Sequence, residues 1–264
     1  MPVNSELKEF ANEFRLPAAP GIEVVETPRY RVTLQPDYPI PGPNSAAFVR
    51  CQSDDADGVI EEVRAIFAAR RLPLIWIIDP GTQPVDFVEH LVARGVAPEP
   101  HAPHVKVMVL PADARVDAPS IPGLELHDAL DDAELFAQAD AVNAEAFHER
   151  QREAGARERR RLNMLATGNR HVLLATVDRE PAGSAGVTAY PPAGAIFNGG
   201  AVLEKFRGRG VYRTLVVERL RIAREAGVPG VSVWGGRMSA PILEKLGFET
   251  VGWRRFYLDP TTTA

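Results

Sequence analysis

Apolar residues in this chain fall into two kinds of run. Leu74-Ile-Trp-Ile-Ile78 is apolar at every position over the length of a strand and is stopped by Asp79-Pro80-Gly81. Tyr30–Leu34 alternates like a half-buried strand. Ala46–Cys51, Val105–Leu110, Leu124–Leu126, His171–Val177, Ala185–Tyr190, Val231–Trp234 and Phe256–Leu258 also read as strands, and an apolar run ending at Leu203 is a further one. The second kind repeats every three or four residues. Val59, Ile60, Val63, Ile66 and Phe67 form such a stripe within 57–70; Phe87, Leu91 and Val92 form another within 84–93, which Pro84 opens and Gly95 stops. Leu215, Val216, Leu220 and Ala223 continue the pattern after Val211. Helices are also predicted over 131–147, 148–165 and 239–246, a short amphipathic piece over 6–14, and a hairpin turn region over 178–183. Strands interleaved with helices predict an α/β (α+β) fold.

Punctuation divides the chain. Pro17, Pro20 and Gly21 end an N-terminal arm, 1–21, and the proline-rich join 111–122 separates a first half, 22–110, from a second, 123–264. The strand 74–78, helix 84–93 and Gly95 turn repeat in order as the strand 231–234, helix 239–246 and Gly247 turn, which points to an internal duplication.

Composition narrows the functional classes. The 264 residues carry a net charge of -5 with 45% hydrophobic residues, ordinary for a globular chain with a sizeable core. That charge gives no footprint for nucleic acid. Cys51 is the single cysteine, so no intramolecular disulfide or cysteine zinc cluster can form, and the six histidines lack metal-ligand spacing. No metal is expected. With no leader-like start and no apolar stretch of about 18 residues, the expectation is a cytoplasmic protein that does not bind membranes.

One stretch concentrates chemistry. In Arg207-Gly-Arg-Gly-Val-Tyr-Arg213 a strand is followed by a basic glycine turn and a helix, and no acidic residue lies between Arg207 and Val217. Glycines let a ligand approach the backbone, and the first helical turn offers unpaired N–H groups at the positive end of the helix dipole. Strand, turn and helix together make a site for an anion such as a phosphate. A Walker loop would need Gly-Lys-Ser or Gly-Lys-Thr, and a dinucleotide fingerprint would need a third glycine where Arg213 stands.

The remaining pattern, Arg207-Gly-Arg-Gly210-Val-Tyr212, resembles the pyrophosphate loop of the GNAT superfamily of acyl-CoA-dependent N-acyltransferases. Pro241-Ile-Leu-Glu-Lys-Leu-Gly-Phe248 is similar to that family's last helix and Gly-Phe turn. The resemblance implies two GNAT-like mixed-sheet domains in tandem, with helices on both faces of each sheet. The first is degenerate, since it has Cys51-Gln-Ser-Asp-Asp-Ala-Asp57 in place of the loop, and its aspartates would repel a pyrophosphate. It also implies acetyl-CoA or another acyl-CoA as cosubstrate. The backbone of Ala201, Val202 and Leu203 would meet the pantetheine arm, and Arg207, Gly208, Arg209, Gly210, Val211, Tyr212 and Arg213 the pyrophosphate.

Two departures from the family pattern bear on catalysis. Leu243 stands where many members have a tyrosine that protonates the leaving thiolate, and the strand before the loop offers Ile196 and Asn198 where several have a glutamate. Catalytic candidates are therefore Asn198, Tyr190 and Ser239, the last also readable as a helix N-cap, with His148 and Glu145 as further bases. The charged stretch Glu149–Arg161 reads as a solvated helix face, and Trp76 and Trp253 as core. The expected activity is transfer of an acetyl group to a primary amine in a ternary complex; the rival is a non-catalytic acyl-CoA sensor or partner-binding module. A small-molecule amine is the expected partner, and a homodimer is compatible with the chain.

Overall fold

The computed structural model describes residues 4–260, so both ends of the expected N-terminal arm and second half, 1–3 and 261–264, lie outside the described residues. In chain order the elements are α1 Ser5–Glu13, β1 Glu23–Glu26, β2 Arg31–Leu34, β3 Ser45–Ala47, α2 Ala56–Arg70, β4 Leu74–Ile78, α3 Phe87–Ala93, β5 Ala97–Pro98 and β6 His104–Pro111. There follow β7 Leu124–Asp128, α4 Ala133–Ala146, α5 Ala154–Thr167, β8 Arg170–Val177, β9 Glu180–Tyr190, β10 Gly194–Val202, α6 Val211–Glu225, β11 Gly230–Gly235, α7 Ala240–Lys245 and β12 Glu249–Asp259. The chain folds as two compact units, one holding the residues up to Phe14, Val107–Trp234 and Pro241–Val251, the other Arg15–Lys106, Gly235–Ala240 and the residues from Gly252 on.

These units are not the consecutive segments expected from the prolines. Helix α1 belongs with the larger unit because Leu7, Phe10 and Ala11 are buried against Val107 and Val109. Asn4 starts it by accepting from Leu7 N–H at 2.8 Å. The end of β12 belongs with the smaller unit because Arg255–Asp259 pairs antiparallel with Leu74–Ile78. There Trp76 donates from Nε1 to buried Asp259 at 3.1 Å, and Arg64 holds the same carboxylate at 2.9 Å.

In the smaller unit β1, β2, β3, β4 and β12 are successive neighbours, with β3 and β4 parallel. Val59, Ile60, Val63 and Phe67 of α2 and Phe87 and Leu91 of α3 close one core over Leu74, Trp76 and Ile78. Two residues expected inside are not: Val92 is 53% exposed and Trp253, on β12, is 39% exposed beneath the Arg255 guanidinium. Each sits one step off its element's apolar face.

In the larger unit β6, β11, β10, β9, β8 and β7 are neighbours in that order. Ser184 of β9 faces α4, through Asn143, while the adjacent Gly183 faces Leu215 and Val211 of α6. Successive strand residues point to opposite faces, so α4 and α6 cover the two sides of this sheet. The hairpin turn is tighter than expected: Asp178 and Arg179 both have positive φ, 52° and 67°, as a two-residue turn between twisted strands requires, and β9 starts at Glu180. The charged helix α5 starts at Ala154, after His148 turns the chain with φ 57°. The arginines of this stretch do more than pair along a helix, since Arg160 of α5 and Arg152 just before it both reach the buried Asp140 of α4.

Candidate functional site

The site is built where two parallel strands part. β10 pairs with β11 only through Ala195, Ile196 and Phe197, and no residue of β10 beyond Phe197 has a partner on β11. On its other side β10 stays paired with β9, except that the register shifts between Asn198 and Ala201, leaving Gly199 and Gly200 outside the ladder. A bulge of this kind turns backbone groups out of the sheet. Leu203 closes the strand by donating its N–H to Ala182 at 2.9 Å.

After a short turn at Glu204–Phe206 the chain enters the glycine loop. Gly208 and Gly210 have φ of 75° and 91°, the left-handed region that side chains avoid. Space around Gly208 is open, whereas a Cβ on Gly210 would collide with Pro119. Gly210 is the N-cap of α6, and no side chain caps that end. The first-turn N–H groups therefore have no side chain to donate to, as a phosphate cradle needs. Arg207, Arg209 and Arg213 are exposed around it. Arg207 also donates from Nε to the Val202 carbonyl at 3.2 Å, and the Arg209 guanidinium lies 5.4 Å from the Phe206 ring centre. Tyr212 turns inward: its Cε2 lies 3.3 Å from where a Cβ on Gly200 would stand.

Behind the bulge is a residue that the sequence reading did not single out. Arg219, two helical turns after Val211, is 1% exposed. It donates from Nε to the Leu215 carbonyl at 3.0 Å and from Nη1 to Gly186 at a long 3.5 Å, and its guanidinium lies 4.2 Å from the Phe197 ring centre. Nη2 has no hydrogen-bond partner among the described residues. Burial pulls its pKa down, opposed by the neighbouring Tyr212. On the opposite face Asn143 of α4 donates to Ala139 and to Ser184 Oγ at 3.2 and 3.1 Å, while its buried Oδ1 accepts nothing among the described residues. That oxygen would be 3.7 Å from a Cβ on Gly199.

No family model matches the sequence, and no curated protein matches it. Solved structures do match the fold. A GCN5-related N-acetyltransferase from Kribbella flavida superposes with a TM-score of 0.68 at 18% identity, covering 91% of this chain and 90% of that one. A GCN5-related N-acetyltransferase from Sphaerobacter thermophilus gives 0.62 at 16% identity, over 88% and 80%. A tandem GNAT protein from the clavulanic acid biosynthesis pathway gives 0.60 at 17% identity and covers 97% of this chain and 87% of that one. The chain has the tandem GNAT fold.

Within this GNAT fold the expected catalytic candidates are not brought together. Asn198 lies at the bulge, where its Oδ1 accepts from Arg170 at 3.2 Å. Tyr190 pairs with Gly194, four ladder positions back, about 13 Å along the strand. Its ring packs 4.5 Å from that of Phe14, and burial raises its pKa against the pull of Arg170. Ser239 Oγ accepts from the Gly236 N–H at 3.0 Å, closing the turn ahead of α7. Glu145 and His148 are exposed at the end of α4, and Leu243 is fully buried. No helix among the described residues is long and apolar enough to cross a membrane.

Proposed function

We propose that this chain transfers an acyl group, acetyl in the simplest case, from acyl-CoA to a primary amine. The observation that carries the reading is the uncapped start of α6, ringed by three arginines, at the end of a strand that parts from its parallel neighbour. In this reading the N–H groups of Gly208–Arg213 and the arginines hold the pyrophosphate, and the free edge of Ala201–Leu203 lines up the pantetheine arm. The thioester then lies at the bulge. The N–H groups of Gly199 and Gly200, outside the β9 ladder, are the donors available to a developing oxyanion. Asn143 Oδ1 accepts a hydrogen bond from the incoming amine and orients its lone pair.

Proton transfer is left largely to the reactants. The Asn198 amide cannot take a proton, and the pKa of Tyr190 moves away from that of a useful base. Leu243 cannot donate one. The amine therefore reacts in its neutral form, its surplus proton leaves to water, and the thiolate is protonated from solvent.

Turnover of acetyl-CoA across a panel of primary amines, read as thiol release, tests the proposal. Release that depends on the amine is expected. Leu243 favours a second reading, a sensor that binds acyl-CoA without turning it over, for which CoA binds but no amine raises release above background.

A further inference from the structure

Arg219 is unusual in two respects. It is a guanidinium at 1% exposure, and no carboxylate pairs with it among the described residues. Desolvating a cation without a counter-charge is unfavourable, and Phe197, Tyr212 and two carbonyls offset only part of the cost. Its Nη2 lies against Gly200, 3.5 Å from where a Cβ there would stand. An alanine at that position would cover Nη2 with a methyl at contact distance, with Tyr212 Cε2 tighter at 3.3 Å; glycine leaves the guanidinium bare against the strand.

Along β10 the order is informative. Reading back from the glycine loop come Leu203–Ala201, then Gly200 and Gly199, then Phe197, the last residue paired with β11. On the reading above, a donor gripped at the loop lays its arm along 203–201 and ends at Gly200. Its acyl group is then the part that arrives beside Nη2. A freely diffusing acceptor has little access to a group this buried, whereas an acyl chain delivered between the parted strands does.

We infer that Arg219 is a specificity-determining residue for the acyl donor, and that the preferred donors are acyl-CoAs whose acyl chain ends in a carboxylate, of the malonyl or succinyl class, rather than acetyl-CoA. The distal carboxylate supplies the missing counter-charge and the acceptor oxygens that Nη2 lacks. The chemistry is unchanged. The amine nitrogen bonds to the thioester carbonyl carbon, the C–S bond breaks, CoA leaves as the thiol after taking up a proton, the amine gives up one proton, and the distal carboxylate passes intact into the amide product.

This inference rests on the acyl-CoA reading, and equilibrium binding separates the two. The full chain is titrated calorimetrically with CoA, acetyl-CoA, malonyl-CoA and succinyl-CoA, without acceptor. A carboxyacyl-CoA is expected to bind roughly tenfold or more tightly than acetyl-CoA, the increment of one charge-assisted contact. In Arg219→Met, and more weakly in Arg219→Lys, the preference falls toward unity while affinity for CoA itself holds. Gly200→Ala, which keeps the arginine, is expected to erode the preference in the same direction. If CoA binds but the wild-type chain treats acetyl- and carboxyacyl-CoA alike, the inference is overturned and the acyl-CoA reading stands. If the preference exists but survives undiminished in Arg219→Met, or, should that variant not fold, in both Arg219→Lys and Gly200→Ala, the assignment to Arg219 is overturned. If no CoA species binds, both readings fall.

Discussion

The two halves start corresponding helices in opposite ways. In the first half α2 is preceded by Ser53–Asp55, and the acids at its start are engaged by the chain's own basic groups: Arg29 holds Asp55 at 2.9 Å, and Asp57 is taken by His90 at 2.6 Å and by Arg94. The acids of that first turn already answer the helix dipole. In the second half α6 starts at a glycine with no side-chain cap, no acid in its first turn and arginines on both sides. Neither start has a side-chain cap, but the first is lined by acids that repel an anion and the second by arginines that attract one. A duplicated architecture can thus keep its core in both copies and its anion site in one.

The largest effect should come from Gly210. Valine there must adopt a φ of 91° and place its side chain on Pro119, which is expected to lower stability by about 2 kcal/mol or more in denaturant unfolding. The glycine in the opposite helix start, Gly58, lies inside α2 with ordinary φ and meets only the Asp55 carboxylate, so Gly58→Ala should hold stability or raise it by up to about 1 kcal/mol. Equal losses at both positions would break the comparison.

Next come the exposed charges. Arg209→Gln with Arg213→Gln is expected to weaken CoA binding roughly tenfold at low salt, and the deficit should shrink as ionic strength rises. Asp54→Asn, in the acidic counterpart, should change nothing in the same titration.

The smallest effect concerns a histidine–aspartate pair. His171 and Asp128, 2.6 Å apart, border a cleft with Arg221 and Glu218. The hydrogen bond to Asp128 raises the His171 pKa above its ordinary 6.5, burial notwithstanding. A raised folded pKa stabilises the protein fully below about 6.5 and loses that contribution as pH rises through the higher folded value. In Asp128→Asn the His171 titration, followed by NMR, should fall toward 6.5, and the stability difference from wild type should shrink between pH 6 and 8. An unmoved His171 titration would contradict this. In the first half the partner of the histidine, Asp57, is shared with Arg94, so there the pair does not stand alone.

What the sequence revealed was whatever is local. Gly208, Gly210 and the arginines around them announce a phosphate-type turn because the backbone conformation, the charge and the helix start all fall within seven residues. The strand at 74–78 and the stripe of α2 were legible for the same reason. β9 was cut short because Glu180-Pro-Ala-Gly-Ser184 has turn composition, yet its partners on β8 hold it extended. Asn143 gains its meaning from Ser184, 41 residues away, and no periodicity announces that contact. Arg219 did leave a trace: it stands four residues after Leu215, a charge on the apolar face of α6. The division into units was hidden because α1 and the end of β12 are assigned by long-range packing and pairing, which the prolines between segments do not encode.

The most direct measurement is the calorimetric stoichiometry of CoA on the full chain. A single site per chain is predicted, absent in a folded Gly210→Asp variant, where a carboxylate is placed at the start of α6. Two sites per chain, or one site whose affinity is indifferent to that substitution, would contradict the claim that the second half alone keeps an anion cradle at its helix start.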